Sequence, residues 1–420
     1  MRTRTVRPLV ALLLLACAER CASGGNQQAT HATSGGSGAS GGASGSSAAS
    51  GSVAIGSTAG VGGKGAPAVG HAGVTGAAGQ PMSNASLAGM GGAAAGASGR
   101  AAAGGSGGGA GATAGPAGVA PAGFWDTSDI PAAKNVMTFK FLNRTNGKFA
   151  DSEVFWSFKN GTISETHSIA EAPTYDMPAN SSGRMYFYLC APAAPTSCTG
   201  DPTKSKYYDF IEHTIGPTQY NGNTTRVDAF GLKIAMRLHC ADGFDVAVGE
   251  DYETFLEDRD VTFQKFIAEV PAEFQHLAQA PFAPYRIVEP GAGNFKAGKP
   301  SETYYDAFVN AIWTNNGITI AKPGPNGSGL ASYPDLSAAI FRHVGDKAGS
   351  FSAAGKLLDK TLWANSASFY VTAPANYYAR FWHTHALGGK AYGFPYDDVG
   401  GYSSYISHAN PQYMLVAIGW

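Results

Sequence analysis

From residue 22 to about residue 122 the chain is almost entirely Gly, Ala, Ser and Thr, with no aromatic ring and only two fixed charges, Lys64 and Arg100. Such a stretch cannot bury enough apolar surface to offset the entropy of ordering it, so residues 17–122 are expected to form a disordered tether. As a flexible coil of about a hundred residues its ends would lie roughly 55 Å apart. A passive low-complexity insertion would have the same composition. Whatever folds must therefore come from residues 123–420, about 300 residues and enough for one or two cores.

Residues 1–16 read as an export signal. Arg2, Arg4 and Arg7 precede a short apolar run, Leu9 to Ala16. The run closes on Leu14-Leu15-Ala16-Cys17, which looks like a bacterial lipobox with Cys17 as the lipid-modified first residue; cleavage nearby without lipid is the alternative. The expected location is the bacterial cell surface or periplasm, with the lipid as the sole membrane attachment, or otherwise secretion. Only 14% of residues are charged and the net charge is −1, which argues against nucleic acid or an anionic membrane surface as partner. No run of eighteen apolar residues exists to span a bilayer. An exported chain permits a disulfide between Cys190 and Cys198, which bracket a turn-rich loop, and leaves Cys240 as a buried thiol.

The first half of the folding region alternates with period two. Val136–Phe141 reads as a half-buried antiparallel strand, and Phe155–Phe158, Met185–Leu189, Tyr207–Ile215 and Val227–Leu238 continue the pattern between Gly, Asn, Pro and Ser turns. The period then changes. Phe263, Phe266, Ile267 and Val270 are spaced for a helix ended by Pro271, and Tyr305, Phe308, Val309 and Ile312 repeat the spacing after Ser301, an expected N-cap. Leu336–Val344 reads as a shorter helix closed by Gly345. Strand-like alternation is expected again after about residue 365. The chain thus predicts a mainly β fold, a β-barrel or sandwich with a smaller mixed α/β lobe inserted at about 251–365 and a cleft between them.

Two of the strands each carry one acid where an apolar residue is expected. Side chains alternate faces along a strand, so Tyr208, Phe210, Glu212 and Thr214 share one face, and Asp228 shares the parity of Phe230, Leu232 and Ile234. Two carboxyl groups beside aromatic rings suit glycoside hydrolysis, in which the acids flank the scissile bond and rings lie under the sugars. Glu212, between Tyr208 and Phe210, is expected in apolar surroundings suited to a proton donor; Asp228, near Arg226, is expected to stay charged. Taken alone, either acid is equally consistent with a salt-bridged barrel position. Asp209 and Asp242 read as ordinary surface or turn acids. His383-Thr384-His385 lacks a third ligand for a metal, and packing or hydrogen bonding accounts for it better.

From about 130 to 420 the sequence resembles glycoside hydrolase family 64, the thaumatin-like endo-β-1,3-glucanases of the laminaripentaose-producing type. The matching stretches are Pro178 to Tyr188, the two acid-bearing strands, Tyr378-Ala379-Arg380, Gly389 to Val399 and the closing Val416 to Gly419. The resemblance implies a thaumatin-like β-barrel with a mixed α/β lobe, a wide electronegative groove, and inverting hydrolysis of β-1,3-glucan by a monomer without a cofactor or metal. Glu212 matches the family's general acid and Asp228 its base. Thr214 and Thr225 match sugar-contacting positions, Tyr208 offers a ring to the substrate, and Asp397 or Asp398 supplies a further contact. His213 departs from the family, and its side chain should point away from the face of Glu212. The rival expectations are a β-glucan-binding surface lipoprotein that does not cut, and a structural lipoprotein with no glycan partner.

Overall fold

The computed structural model describes residues 118–190, 205–322, 333–346 and 350–420. The signal segment, Cys17, Cys21, Cys198 and nearly all of the expected tether lie outside the described residues. The architecture is mainly β. One six-stranded sheet runs β12-β7-β6-β5-β2-β3, built from β2 (Val154–Asn160), β3 (Ile163–Ser168), β5 (Asn180–Leu189), β6 (Tyr208–Gly216), β7 (Gln219–Thr224) and β12 (Tyr405–Ala409). A five-stranded sheet runs β10-β9-β13-β1-β4, from β1 (Met137–Arg144), β4 (Thr174–Met177), β9 (Lys233–Cys240), β10 (Asp245–Gly249) and β13 (Pro411–Gly419). A two-stranded ribbon pairs β8 (Ala229–Phe230) with β11 (Ile287–Val288).

The larger sheets share one apolar core. Phe139 and Phe141 of β1, Trp156 and Phe158 of β2, Phe187 of β5, Ile211 of β6, Met236 of β9 and Val416 of β13 are all buried in it. β1 differs from its expectation as a half-buried antiparallel strand. It lies parallel to β13 and antiparallel to β4, and its outward Thr138 and Lys140 are buried too. The segment ahead of it covers them: Thr138 donates to the Pro131 carbonyl at 2.9 Å, and the Lys140 ammonium meets Asp126 at 3.1 Å. A nearby patch seats the entering chain, with Phe124 against Trp125, Tyr252 and Phe255.

A second core holds the helices and the β8–β11 ribbon. Helix Arg259–Glu269 buries Phe263 and Phe266 and stops at Val270, before Pro271, as its spacing requires. Helix Asp306–Asn315 buries Phe308, Val309 and Ile312, but Tyr305 rather than Ser301 precedes it, because Ser301 sits in an earlier turn bonded to Asn294. Helix Pro334–Phe341 has its proline in the first turn and ends before Gly345. This core continues past residue 365 to Phe394, and strand structure returns only at Tyr405. The reason is helix Tyr377–Thr384, in which Tyr377, Tyr378, Phe381 and Trp382 form one buried face at helical spacing.

The expected strand Val227–Leu238 is broken at Gly231 and Leu232, whose N–H groups turn to the Asp209 carboxylate at 2.8 and 3.1 Å. The break moves Asp228 off the core-facing row that Ile234, Met236 and Leu238 occupy. Only glycine fits at 231, since a Cβ there would lie 1.9 Å from the Tyr208 carbonyl oxygen. Gly231→Ala must displace that backbone, and is expected to cost about 1–3 kcal/mol or more as an overpacking change, read as a lowered thermal midpoint.

Candidate active site

On β6 the parity reading holds. Ile211, His213 and Ile215 point into the core, while Tyr208, Glu212 and Thr214 stand half-buried on the opposite face. His213 lies between the rings of Phe139 and Phe158, and burial pushes its imidazole down to about 3, so it is neutral. Thr214 Oγ1 accepts from the Ser182 N–H at 3.0 Å.

The surroundings of Glu212 are not the apolar ones expected. β5 runs antiparallel to β6 with Arg184 opposite Glu212, and Arg184 Nε and one terminal nitrogen both reach Glu212 Oε1 at 2.9 Å. Phe210 lies beneath the guanidinium, 4.5 Å from ring centre to Cζ, rather than beneath the carboxylate. Strand pairing creates this contact, 28 residues apart in sequence, and no local pattern announces it.

Asp228 stands just before β8, and its carbonyl accepts from the Glu289 N–H at 3.2 Å, extending the β8–β11 pairing by one residue. The expected neighbour, Arg226, turns away into the interior. The cations acting on Asp228 are instead Arg184 and Arg286. Burial raises the Asp228 pKa, and those two guanidinium groups oppose the rise while Glu212 and Asp209 add to it. Arg286 lies 3.6 Å from the centre of the Tyr208 ring and donates to the Tyr208 carbonyl at 3.1 Å, tying the β11 side of the site to β6.

Glu289 is the third carboxyl group here. It accepts from Gly291 N at 2.6 Å, capping the turn Pro290–Ala292, and burial lifts it to about 7, with the Asp228 charge adding to the rise. The run Glu289-Pro290-Gly291 was a legible turn signal, but nothing local says that it faces Asp228.

Several expected contacts fall elsewhere. Asp397 is completely buried between Arg342 at 2.8 Å and His383 at 2.8 Å, so it braces its loop and cannot touch sugar. Asp398 is the half-buried member of the pair, receives the Tyr392 hydroxyl at 3.5 Å and is pushed up by burial. Thr225 is 2% exposed and its hydroxyl oxygen accepts from Val227 N at 3.2 Å, which leaves little surface for a ligand. Asp209 is not a surface acid but a buried one, paired with Arg226 at 2.9 Å. His383 and His385 take separate partners, Asp397 and Glu269. Among the described residues no three His, Cys, Asp or Glu side chains are grouped to hold a metal ion. Cys190 is disulfide-bonded and Cys240 is a buried free thiol.

Three carboxyl groups and two guanidinium groups thus converge where β6 meets the β8–β11 ribbon, beside tyrosine rings. A family model described as β-1,3-glucanase, glycoside hydrolase family 64, matches residues 140–327 and 329–418. The chain belongs to that family. Two proteins named glucan endo-1,3-β-glucosidase, from Arthrobacter sp. (strain YCWD3) and Cellulosimicrobium cellulans, are each 27% identical over 259 residues, which is 50% of this chain and 45% of theirs. The chain therefore spans about half the length of the curated relatives it matches. The crystal structure of a family 64 laminaripentaose-producing β-1,3-glucanase from Paenibacillus barengoltzii superposes with a TM-score of 0.56 at 28% identity, covering 70% of this chain and 78% of that one. The same enzyme complexed with laminarihexaose gives 29% identity and the same TM-score.

Within this family 64 site Glu289 makes a pH-dependent contribution of definite sign. The folded protein holds the Glu289 proton up to about 7, whereas the free side chain releases it near 4.5. Its stabilising effect is complete below the lower value and is lost as pH rises through the upper one, by as much as about 3 kcal/mol at about 1.4 kcal/mol per unit. Glu289→Gln is expected to flatten the difference in unfolding free energy between pH 4.5 and pH 8, measured by urea denaturation.

Proposed function

We propose that this protein hydrolyses β-1,3-glucan internally, with inversion at the anomeric carbon, Glu212 acting as general acid and Asp228 as general base. The observation that carries the reading is the placement of both carboxyl groups at one junction in a chain of family 64. The Paenibacillus barengoltzii relative, solved with laminarihexaose, supports β-1,3-linked glucan as the substrate class. In this scheme Glu212 donates its proton to the glycosidic oxygen as the bond to the leaving sugar breaks. Asp228 removes a proton from the water whose oxygen forms the new bond from the opposite face. One carboxyl must be neutral and the other ionised. Arg184 contacts Glu212 at 2.9 Å and its charge also lowers the Asp228 pKa, opposing the burial that favours the uncharged form of Asp228. Tyr208, Thr214 and Asp398 remain the half-exposed side chains suited to sugar contact.

Purified protein is expected to release reducing sugar from laminarin, and Glu212→Gln and Asp228→Asn are each expected to lower the rate by about 10²–10⁴. Early products resolved by NMR should carry the α-anomer; β-anomers would refute inversion. Retention on insoluble β-1,3-glucan without cleavage would favour a binding module instead.

The pH profile offers a second check. Arg286 lowers the Asp228 pKa, so Arg286→Gln should raise it, and because the base works ionised, the acidic limb of the rate profile should move to higher pH.

We also propose a lipid attachment at Cys17 that places the enzyme at the bacterial surface, a reading supported by the Leu14-Leu15-Ala16-Cys17 motif. Palmitate labelling of the expressed full chain should be lost in Cys17→Ser.

A further inference from the structure

A charged side chain behind the site is wired to both acid-bearing segments. Arg226 is 2% exposed, and all five of its guanidinium N–H positions have partners. Nε donates to Glu250 Oε1 at 2.6 Å, one terminal nitrogen to Asp209 Oδ2 at 2.9 Å and the Thr225 carbonyl at 2.8 Å, the other to Glu250 Oε2 at 2.7 Å and the Leu232 carbonyl at 3.0 Å. Asp209 Oδ2 also accepts the Gly231 and Leu232 N–H groups, and Glu250 Oε2 accepts Ile234 N at 2.7 Å. The Arg226 backbone is held as well, its N–H by the Tyr392 carbonyl at 2.8 Å and its carbonyl by the Tyr378 hydroxyl at 2.7 Å.

Asp209 precedes Glu212 by three residues on β6, and Arg226 precedes Asp228 by two. One guanidinium therefore ties the strand of the first acid to the segment of the second, and the same bonds break the strand at Gly231 so that Asp228 leaves the core-facing row. Stability alone does not call for such a triad, because buried ion pairs replaced by packed apolar groups are often neutral or better. Inverting chemistry does call for a fixed gap of about 6.5–9.5 Å between carboxyl groups.

We infer that Arg226, with Asp209 and Glu250, is a positioning device that sets the separation and orientation of Glu212 and Asp228. The inference rests on the roles proposed for those two acids. Lysine cannot replace the planar fork, since its three donors radiate from one point. Asparagine at 209 keeps the shape and an accepting oxygen but loses the charge that grips the guanidinium.

The test compares Arg226→Lys and Asp209→Asn with the parent full-length protein on laminarin, with folding checked by near-ultraviolet circular dichroism. Positioning predicts kcat lower by about ten- to a hundredfold, as for misplacement of about 1 Å, with KM within about threefold. Asp209→Asn should also shift the acidic limb to lower pH, because Asp209 adds to the rise of Asp228. The other groups acting on Asp228 are unchanged in that variant: Arg184, Glu212, Arg286, Glu289 and Tyr208. If Arg226→Lys fails to fold, Asp209→Asn decides. Folded variants with parental kcat and pH profile, alongside inactive Glu212→Gln and Asp228→Asn, would reduce the triad to a structural brace and overturn the inference. A parent protein that leaves laminarin uncut would overturn the functional reading itself, and the inference with it.

Discussion

One buried guanidinium sets the geometry on which the site depends. The guanidinium joins β6, the β8–β9 break and Glu250 just after β10 through two carboxylates and two carbonyls, and the Arg226 carbonyl accepts from Tyr378 in the helix beginning at Tyr377. At the break the Gly231 and Leu232 N–H groups donate to the Asp209 carboxylate instead of to a neighbouring strand. β8 and β9 are thereby separate strands, and Asp228 lies just before the first of them. A hydrogen-bond network deep in the protein thus bears on where an acid at its edge is placed.

The electrostatics of the acid-bearing junction begin from simple counting. Glu212, Asp228 and Glu289 share their junction with Arg184 and Arg286, so acids outnumber cations by one. Burial raises both Asp228 and Glu289, and at Asp228 the Arg184 and Arg286 guanidinium groups oppose the rise. Arg184 stands at the meeting point of these demands, stacked on Phe210 and bonded to Glu212. An aromatic ring expected to lie under sugar or carboxylate serves here as a bed for a cation.

Much of this was legible in the sequence, and the parts that were not share a cause. Period-two alternation placed β2, β5 and β6, and on β6 it assigned Glu212 and His213 to the correct opposite faces. Helical spacing placed Arg259–Glu269 with its end at Pro271. What alternation could not show was pairing between distant segments: Arg184 against Glu212, Arg286 on Tyr208, Glu289 opposite Asp228. The same blindness made Asp209 look like a surface acid and Asp397 like a ligand, when each is buried with an arginine from elsewhere in the chain. The expected return of strand-like alternation after about residue 365 failed where the spacing of Tyr377, Tyr378, Phe381 and Trp382 fits a helix face.

The seat of Phe124 fixes how the chain enters the fold. Its ring packs with Ala235 and Ala417 on the five-stranded sheet and with Phe255, and Arg144 grips the carbonyls of Gly123 and Phe124 at 2.8 Å. These contacts fasten the segment ahead of β1 to β1, β9 and β13. Glu212 rides on the other large sheet, so the seat of the entering chain and the first acid belong to separate sheets.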